Sequence, residues 1–211
     1  MKKKISIVIP VFNEEENLRE FYTRLTKVMS GCIYDYDIIF VDDGSRDASA
    51  AILYDLSQSD EHVQAYLLSR NFGHQMALTC GLDHAEGDAV ITMDGDLQHP
   101  PELLPELISL WEEGYEIVQT VRKDTADASY FKKLTSSAYY KLINKMSKVR
   151  ITPGGSDFRL MDRVAVDALK LYNERARFIR GIVNNLGFKL KTVEFIAPPR
   201  FAGQSKYNLH K

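Results

Sequence analysis

Apolar and polar positions along this chain alternate between two rhythms. Short β-branched or apolar runs, Ile5 to Val11, Tyr36 to Val41, Val63 to Leu68, Ala89 to Met93 and Glu116 to Thr120, predict strands. The segments between them, Glu15 to Met29, Ala48 to Ser57, about Gln75 to His84 and Glu102 to Glu112, carry helical patterns, and Pro100-Pro101 opens the last. Strands that alternate with helices form a parallel sheet with covering helices, so the fold class is α/β. Beyond Asn185 the pattern gives one more strand, Lys189 to Ile196, then Pro198-Pro199 and a polar, basic tail. Loops fall at Gly44-Ser45, Gly73, Gly87-Asp88 and Pro153-Gly154-Gly155, and no internal repeat or low-complexity stretch divides the chain.

In an open parallel sheet, ligands bind outside the carboxyl ends of the strands, where loops and helix N-termini gather. Polar clusters stand at those ends here. The first strand runs into Pro10-Val11-Phe12-Asn13-Glu14 and the second into Asp42-Asp43-Gly44-Ser45. The third runs into Ser69-Arg70-Asn71-Phe72-Gly73 and the fourth into Asp94-Gly95-Asp96-Leu97-Gln98. One such cluster is ordinary loop capping, whereas four at successive strand ends point to a site.

Asp94 and Asp96 carry the most specific chemistry. Two carboxylates one residue apart, where a strand opens into a loop, can converge on a hard cation, and Mg2+ or Mn2+ favours such oxygen ligands. Gln98 can add an oxygen, with water and substrate phosphates completing the shell, so the metal would neutralise a departing diphosphate. Asp157, in Gly154-Gly155-Ser156-Asp157-Phe158-Arg159, reads as part of a glycine-flanked loop before a helix. A carboxylate there can deprotonate an incoming hydroxyl or cap the helix.

Composition adds bounds. At 211 residues and 45% hydrophobic content the chain can close one sizeable core, so one domain with a short tail is expected. Cys32 and Cys80 match no metal-ligand spacing and read as reduced thiols in a cytoplasmic setting. The start Met1-Lys2-Lys3-Lys4 resembles the basic end of a signal peptide, but the apolar run behind it contains Pro10 and gives way to Asn13-Glu14-Glu15-Glu16. No stretch reaches the roughly 18 to 20 apolar residues of a membrane-spanning helix.

The net charge is only -2, yet Arg122, Lys123, Lys132, Lys133, Lys141, Lys145, Lys148 and Arg150 face only Asp124 and Asp127 across one segment. Within it, Ser129 to Met146 places Phe131, Leu134, Ala138 and Leu142 at helical spacing. Such a helix either packs on its own core or lies near anionic lipid headgroups.

Four ordered motifs resemble those of the inverting family 2 glycosyltransferases of GT-A fold. They are Ile7-Val8-Ile9-Pro10-Val11-Phe12-Asn13-Glu14-Glu15, Val41-Asp42-Asp43-Gly44-Ser45, Asp94-Gly95-Asp96-Leu97-Gln98-His99-Pro100-Pro101 and Ser156-Asp157-Phe158-Arg159-Leu160. Within that family the chain looks most like the polyprenyl-phosphate glycosyltransferases, which include dolichol-phosphate mannose synthases and bactoprenol glucosyltransferases. The resemblance implies a mostly parallel, Rossmann-like sheet flanked by helices, forming a GT-A catalytic domain over residues 1–196. Residues 197–211 would be a basic juxtamembrane tail cut short of transmembrane helices that relatives usually carry.

The same resemblance implies roles residue by residue. Pro10, Phe12, Glu14, Asp43 and Arg70 would contact the nucleotide, with Asp42 beside them. Asp94, Asp96 and Gln98 would hold Mg2+ or Mn2+ and the donor diphosphate, Asp94 also touching the nucleotide and Asp96 acting in catalysis. Asp157 becomes the candidate base or acceptor-orienting carboxylate. Arg122, Lys133 and Ser136 fall where the family grips the lipid phosphate, and Arg200, Gly203, Ser205 and Lys206 match its signature near the membrane.

The expected partners are a nucleotide-diphosphate sugar, UDP-linked in preference to GDP-linked, and a polyprenyl phosphate at the cytoplasmic face of the membrane. No nucleic acid is expected, and a homo-oligomer stays open. Two other readings stand beside this one: a glycosyltransferase with a soluble sugar or polysaccharide acceptor, and a nucleotide-binding module without chemistry.

Overall fold

The computed structural model describes residues 2–123, 155–172, 174 and 177–198. Among the described residues seven strands form one sheet: β1 (Lys4–Val11), β2 (Asp35–Asp42), β3 (Val63–Leu67), β4 (Ala89–Thr92), β5 (Ile117–Arg122), β6 (Gly155–Asp162) and β7 (Leu190–Phe195). Their order across the sheet is β3-β2-β1-β4-β6-β5-β7. The β1–β2, β1–β4, β2–β3 and β5–β7 pairs are parallel, while β6 runs antiparallel to both β4 and β5.

Alternation along β1 explains the two-sided packing. Ile5, Ile7, Ile9 and Val11 belong to one core with α1 (Leu18–Met29), α2 (Ser49–Ser59) and α4 (Leu104–Glu112). Val8, with Ile39 and Val41 of β2, belongs to a second core with α3 (His74–His84), α5 (Arg163–Lys170) and α6 (Ile179–Asn185). In α1 the buried residues are Leu18, Phe21, Leu25 and Met29, one stripe at helical spacing, with charged residues on the other face. Truncating a fully buried residue of that stripe, such as Leu25, would cost about 2–5 kcal/mol through lost burial and the cavity left behind. Gly81 lets α3 press onto the sheet, because a Cβ there would stand 2.2 Å from Cγ1 of Val8.

Three expectations change in detail. The first helix begins at Leu18 rather than Glu15, since the Glu14 carbonyl accepts the N–H groups of Asn17 and Leu18 and closes a turn first. The helix after Pro100 starts as a short 3-10 turn, Pro101–Leu103, before α4. The largest change concerns Asp157, which lies on the buried strand β6 and not in a loop before a helix. The cap of the following helix is Asp162, whose side chain accepts the N–H of Val164 at 3.0 Å.

Cys32 and Cys80 are free thiols. Among the described residues no helix is long and apolar enough to cross a membrane. The amphipathic segment Ser129 to Met146 lies outside the described residues.

Candidate functional site

The loops after β1, β2 and β3 are fastened to one another by side chains that read as capping residues in isolation. Asn13, with φ of 52°, donates its N–H to Ser45 Oγ at 2.8 Å and accepts the Arg46 N–H at 2.8 Å. The Glu14 N–H meets Ser49 Oγ at 2.8 Å, and Glu14 Oε2 accepts from Asn17 Nδ2 at 2.6 Å. Asp43 is buried; its carboxylate accepts the N–H of Phe72 at 2.7 Å and that of Gly73 at 2.9 Å, tying the β2 loop to the β3 loop. The exposed Arg70 guanidinium lies over the Phe72 ring at 4.1 Å. Gly44 is required where these loops meet: φ is +68°, and a Cβ would stand 2.4 Å from the Arg70 carbonyl carbon.

Asp42 is the more telling of the two carboxylates on this loop. Its Oδ2 accepts the Ser45 N–H at 3.0 Å, whereas the buried Oδ1 has no hydrogen-bond partner among the described residues. A buried acceptor left unpaired costs free energy until a donor arrives. Pro10 is buried at the end of β1, and Phe12 is half-buried just beyond it.

The loop after β4 is held from both sides. Leu97 is buried in the left-handed region, φ 61°, between the two half-exposed residues Asp96 and Gln98. Asp96 Oδ1 accepts the Gln98 N–H at 3.1 Å, and Gln98 Oε1 accepts from Arg122 Nη1 at 3.4 Å. The Asp94 N–H donates to Nδ1 of the buried His99 at 2.9 Å, which makes Nδ1 the acceptor and leaves the ring proton on Nε2. That nitrogen faces Ser156 Oγ at 2.7 Å, and the ring stacks on Phe158. His99 thus joins the Asp94 backbone to β6.

Asp157, 2% exposed, is the centre of the charge network. Arg159 Nη2 reaches its Oδ1 at 2.8 Å, and Arg180 forks onto both oxygens, Nε to Oδ1 at 3.0 Å and Nη2 to Oδ2 at 2.8 Å. His74 Nε2 lies 3.3 Å from Asp157 Oδ2 and 3.7 Å from Asp94 Oδ1. Burial alone would raise the Asp157 pKa; hydrogen bonds from His74 and Arg180 and the charges of Arg159 and Arg180 outweigh it and hold the carboxyl well below the usual carboxylate range. Burial pushes the Arg159 guanidinium down to about 10 against the pull of Asp157. For His74, burial is outweighed by Asp157 and Asp94, so its pKa is raised.

Among the described residues no three His, Cys, Asp or Glu side chains form a ready-made metal cage. The donor set nevertheless fits a hard divalent cation completed by substrate and water. Asp94 and Asp96 are carboxylates on one short loop, and the Asp94 side chain is 35% exposed.

The fold therefore brings together Asp42, Asp43 and Arg70 on one linked set of loops, and Asp94, Gln98, Arg122 and Asp157 on another. Lys133, Ser136, Arg200, Ser205 and Lys206 lie outside the described residues. His74, His99, Arg159 and Arg180 had no assigned role in the sequence. Arg159 sits inside a motif that was recognised, and its charge on a strand otherwise apolar from Phe158 to Met161 was the available signal.

Residues 6–170 match the family model described as Glycosyl transferase family 2, and the chain belongs to that family. It is 45% identical over 206 residues to the uncharacterized glycosyltransferase YkcC of Bacillus subtilis, covering 98% of this chain and 64% of that protein. It is 42% identical over 205 residues to the prophage bactoprenol glucosyl transferase homolog of Escherichia coli, covering 97% of this chain and 67% of that protein. The chain thus spans about two thirds of the length of these relatives. Among solved structures, glucosyl-3-phosphoglycerate synthase from Mycobacterium tuberculosis, in complex with Mn2+, UDP and glucosyl-3-phosphoglycerate, superposes with a TM-score of 0.64. That match covers 96% of this chain and 73% of the other at 18% identity, a likeness of fold, and the fold is that of the GT-A glycosyltransferases.

Proposed function

We propose that this protein transfers a hexose, with inversion, from a UDP-sugar to a polyprenyl phosphate at the cytoplasmic face of a membrane. The observation that carries the reading is the state of Asp157. A carboxylate forked by Arg180 and paired with buried Arg159 is a poor proton acceptor, so it is ill suited to activating a sugar hydroxyl. A phosphate monoester needs no such base, because its second ionisation lies near pH 6 and the attacking oxygen is already charged. Asp157 then orients groups rather than abstracting a proton. The family relatives named as bactoprenol glucosyl transferases support a lipid phosphate acceptor.

In this reading an acceptor phosphate oxygen attacks the anomeric carbon from the face opposite the nucleotide. The new C–O bond forms as the bond to the β-phosphate breaks, and UDP leaves with the electron pair. Asp94 and Asp96 would hold Mg2+ or Mn2+, which when bound supplies positive charge to the leaving diphosphate. Asp42 Oδ1, the buried acceptor without a partner, would take the single ring N–H of uracil. Pro10, Phe12, Glu14, Asp43 and Arg70 shape the rest of the nucleotide cleft. Arg122, in contact with Gln98, would stand between donor and acceptor phosphates, with Lys133, Ser136, Arg200, Ser205 and Lys206 completing the acceptor side.

The test uses the full-length protein in detergent with polyprenyl phosphate and radiolabelled UDP-glucose or GDP-mannose. Label should enter the organic phase from the UDP-sugar. Label appearing only on a water-soluble hydroxyl acceptor, or on nothing, would sink the proposal.

A further inference from the structure

His74 is the first residue of α3, and the chain is held on both sides of it. The two N–H groups ahead of it, those of Phe72 and Gly73, go to the buried Asp43 carboxylate at 2.7 and 2.9 Å. The residue behind it, Gln75, takes the Ile179 N–H on Oε1 at 3.2 Å, which ties α3 to the start of α6. The imidazole is therefore projected from a backbone anchored to the end of β2 and to a neighbouring helix.

Its Nε2 faces two carboxylates that arrive from different strands. Asp157 Oδ2, on β6, lies 3.3 Å away, and Asp94 Oδ1, just past β4, lies 3.7 Å away. Facing two acceptors, Nε2 carries the ring proton. The two carboxylates are held very unequally. Asp157 is buried and takes guanidinium donors from Arg159 and Arg180 on its oxygens, so it keeps its place without an imidazole.

Asp94 is held more lightly. Its side chain is 35% exposed, and among the described residues the side chains that approach its carboxylate are two imidazoles. Arg159 also senses the Asp94 charge, without an ion pair to it among those residues. His99 Nδ1 lies 3.5 Å from Asp94 Oδ2 but already accepts the Asp94 N–H, so it offers that oxygen no proton. His74 is the imidazole that turns an N–H toward the carboxylate.

A line of restraint thus runs from two guanidinium groups through Asp157 to His74 and ends on Asp94. It adds little to stability, because the His74 and Asp94 side chains, 34% and 35% exposed, are screened by water. Its effect is on direction. A ligating carboxylate held through one oxygen presents the other over a narrower range of directions, which is how outer partners tune a metal site.

We infer that His74 is a positioning residue for Asp94, holding that carboxylate in the attitude in which it takes a divalent cation. The inference rests on the reading of Asp94 and Asp96 as ligands of Mg2+ or Mn2+.

The test uses the full-length protein as wild type, His74→Phe, which keeps a ring without the N–H, and His74→Gln, which restores an N–H donor. Mn2+ binding at saturating UDP is followed by electron paramagnetic resonance of the free ion, and UDP binding without metal by calorimetry. His74→Phe should weaken Mn2+ at least about tenfold while metal-free UDP affinity stays within about twofold. His74→Gln should recover part of the loss. Adding His74→Phe to Asp94→Asn should weaken Mn2+ no further, because the residue it positions is already altered.

Wild-type Mn2+ affinity in His74→Phe overturns the inference. So does an equal loss of metal-free UDP affinity, the pattern of a misshapen cleft, or a His74→Gln variant as poor as His74→Phe. A further loss of Mn2+ in the double variant overturns it as well. Wild-type Mn2+ affinity in Asp94→Asn refutes the ligand assignment itself, whereas loss there beside wild-type affinity in His74→Phe refutes the positioning role alone.

Discussion

His99 and Asp94 are locked together through the backbone: Nδ1 of the buried imidazole accepts the Asp94 N–H at 2.9 Å while Nε2 faces Ser156 on β6. The loop that carries the Asp-x-Asp carboxylates is thereby fixed to the strand that carries Asp157. Replacing His99 by Leu removes the acceptor and leaves the Asp94 N–H and the Ser156 hydroxyl without this partner, at a cost of about 1–3 kcal/mol. Urea unfolding should record that loss, and Mn2+-dependent UDP affinity should fall with it. Unchanged UDP affinity would show that the loop keeps its shape without the histidine.

Asp157→Asn should be strongly destabilising at neutral pH, by about 3 kcal/mol, because Arg159 is left buried opposite a neutral amide. The sign of the pH dependence follows from the direction of the shift. The folded-state pKa lies below the ordinary value of about 3.9, so the charge contributes its full stability above that pH and loses it as pH falls further. His74, whose pKa the same carboxylate raises, adds to the gap as pH falls through the histidine range near 6.5, so the gap between wild type and variant should grow somewhat from pH 7 to 5 and then shrink toward pH 3. A gap that kept widening below about pH 4 would contradict the ion-pair account.

Gly44→Ala should cost at least about 2 kcal/mol, since the backbone is left-handed and the new methyl would meet the Arg70 backbone. Either the β3 loop moves, taking Arg70 and Phe72 with it, or the protein loses stability. A variant with wild-type melting temperature and wild-type nucleotide affinity would be inconsistent with this packing.

Asp96→Ala removes one of the two carboxylates offered to a divalent cation. Turnover should drop at least about a hundredfold, and the enhancement of UDP binding by Mn2+ should disappear, both on the expectation that one carboxylate cannot hold the cation against water. Near-normal rates in this variant would refute the metal assignment.

Much of this was legible in the linear pattern. The run from Ile5, that from Ala89 and most of that from Tyr36 are buried on both faces, and such strands announce themselves because nearly every position is apolar, whereas in β3 only Val63 is buried. The four polar clusters mark the strand ends, as read. β6 was missed because Ser156, Asp157 and Arg159 look like loop residues until each finds its partner inside the sheet. Those partners are remote in sequence: His74, His99 and Arg180 reach Ser156 or Asp157 only after the chain has crossed the sheet. Periodicity reports the local environment of a residue and is silent about pairings of this kind.

The placement of β6 also joins the two parts of the sheet. Among the described residues β5 pairs with β6 and β7, and both follow it in the chain, so the link from β5 to the rest of the sheet runs through the pairing of β6 with β4. Without β6, the run β3-β2-β1-β4 would end on Ala89-Val90-Ile91-Thr92. A bare, apolar strand edge is a template for other chains. The strand that carries Asp157 is therefore also the one that covers the edge of β4.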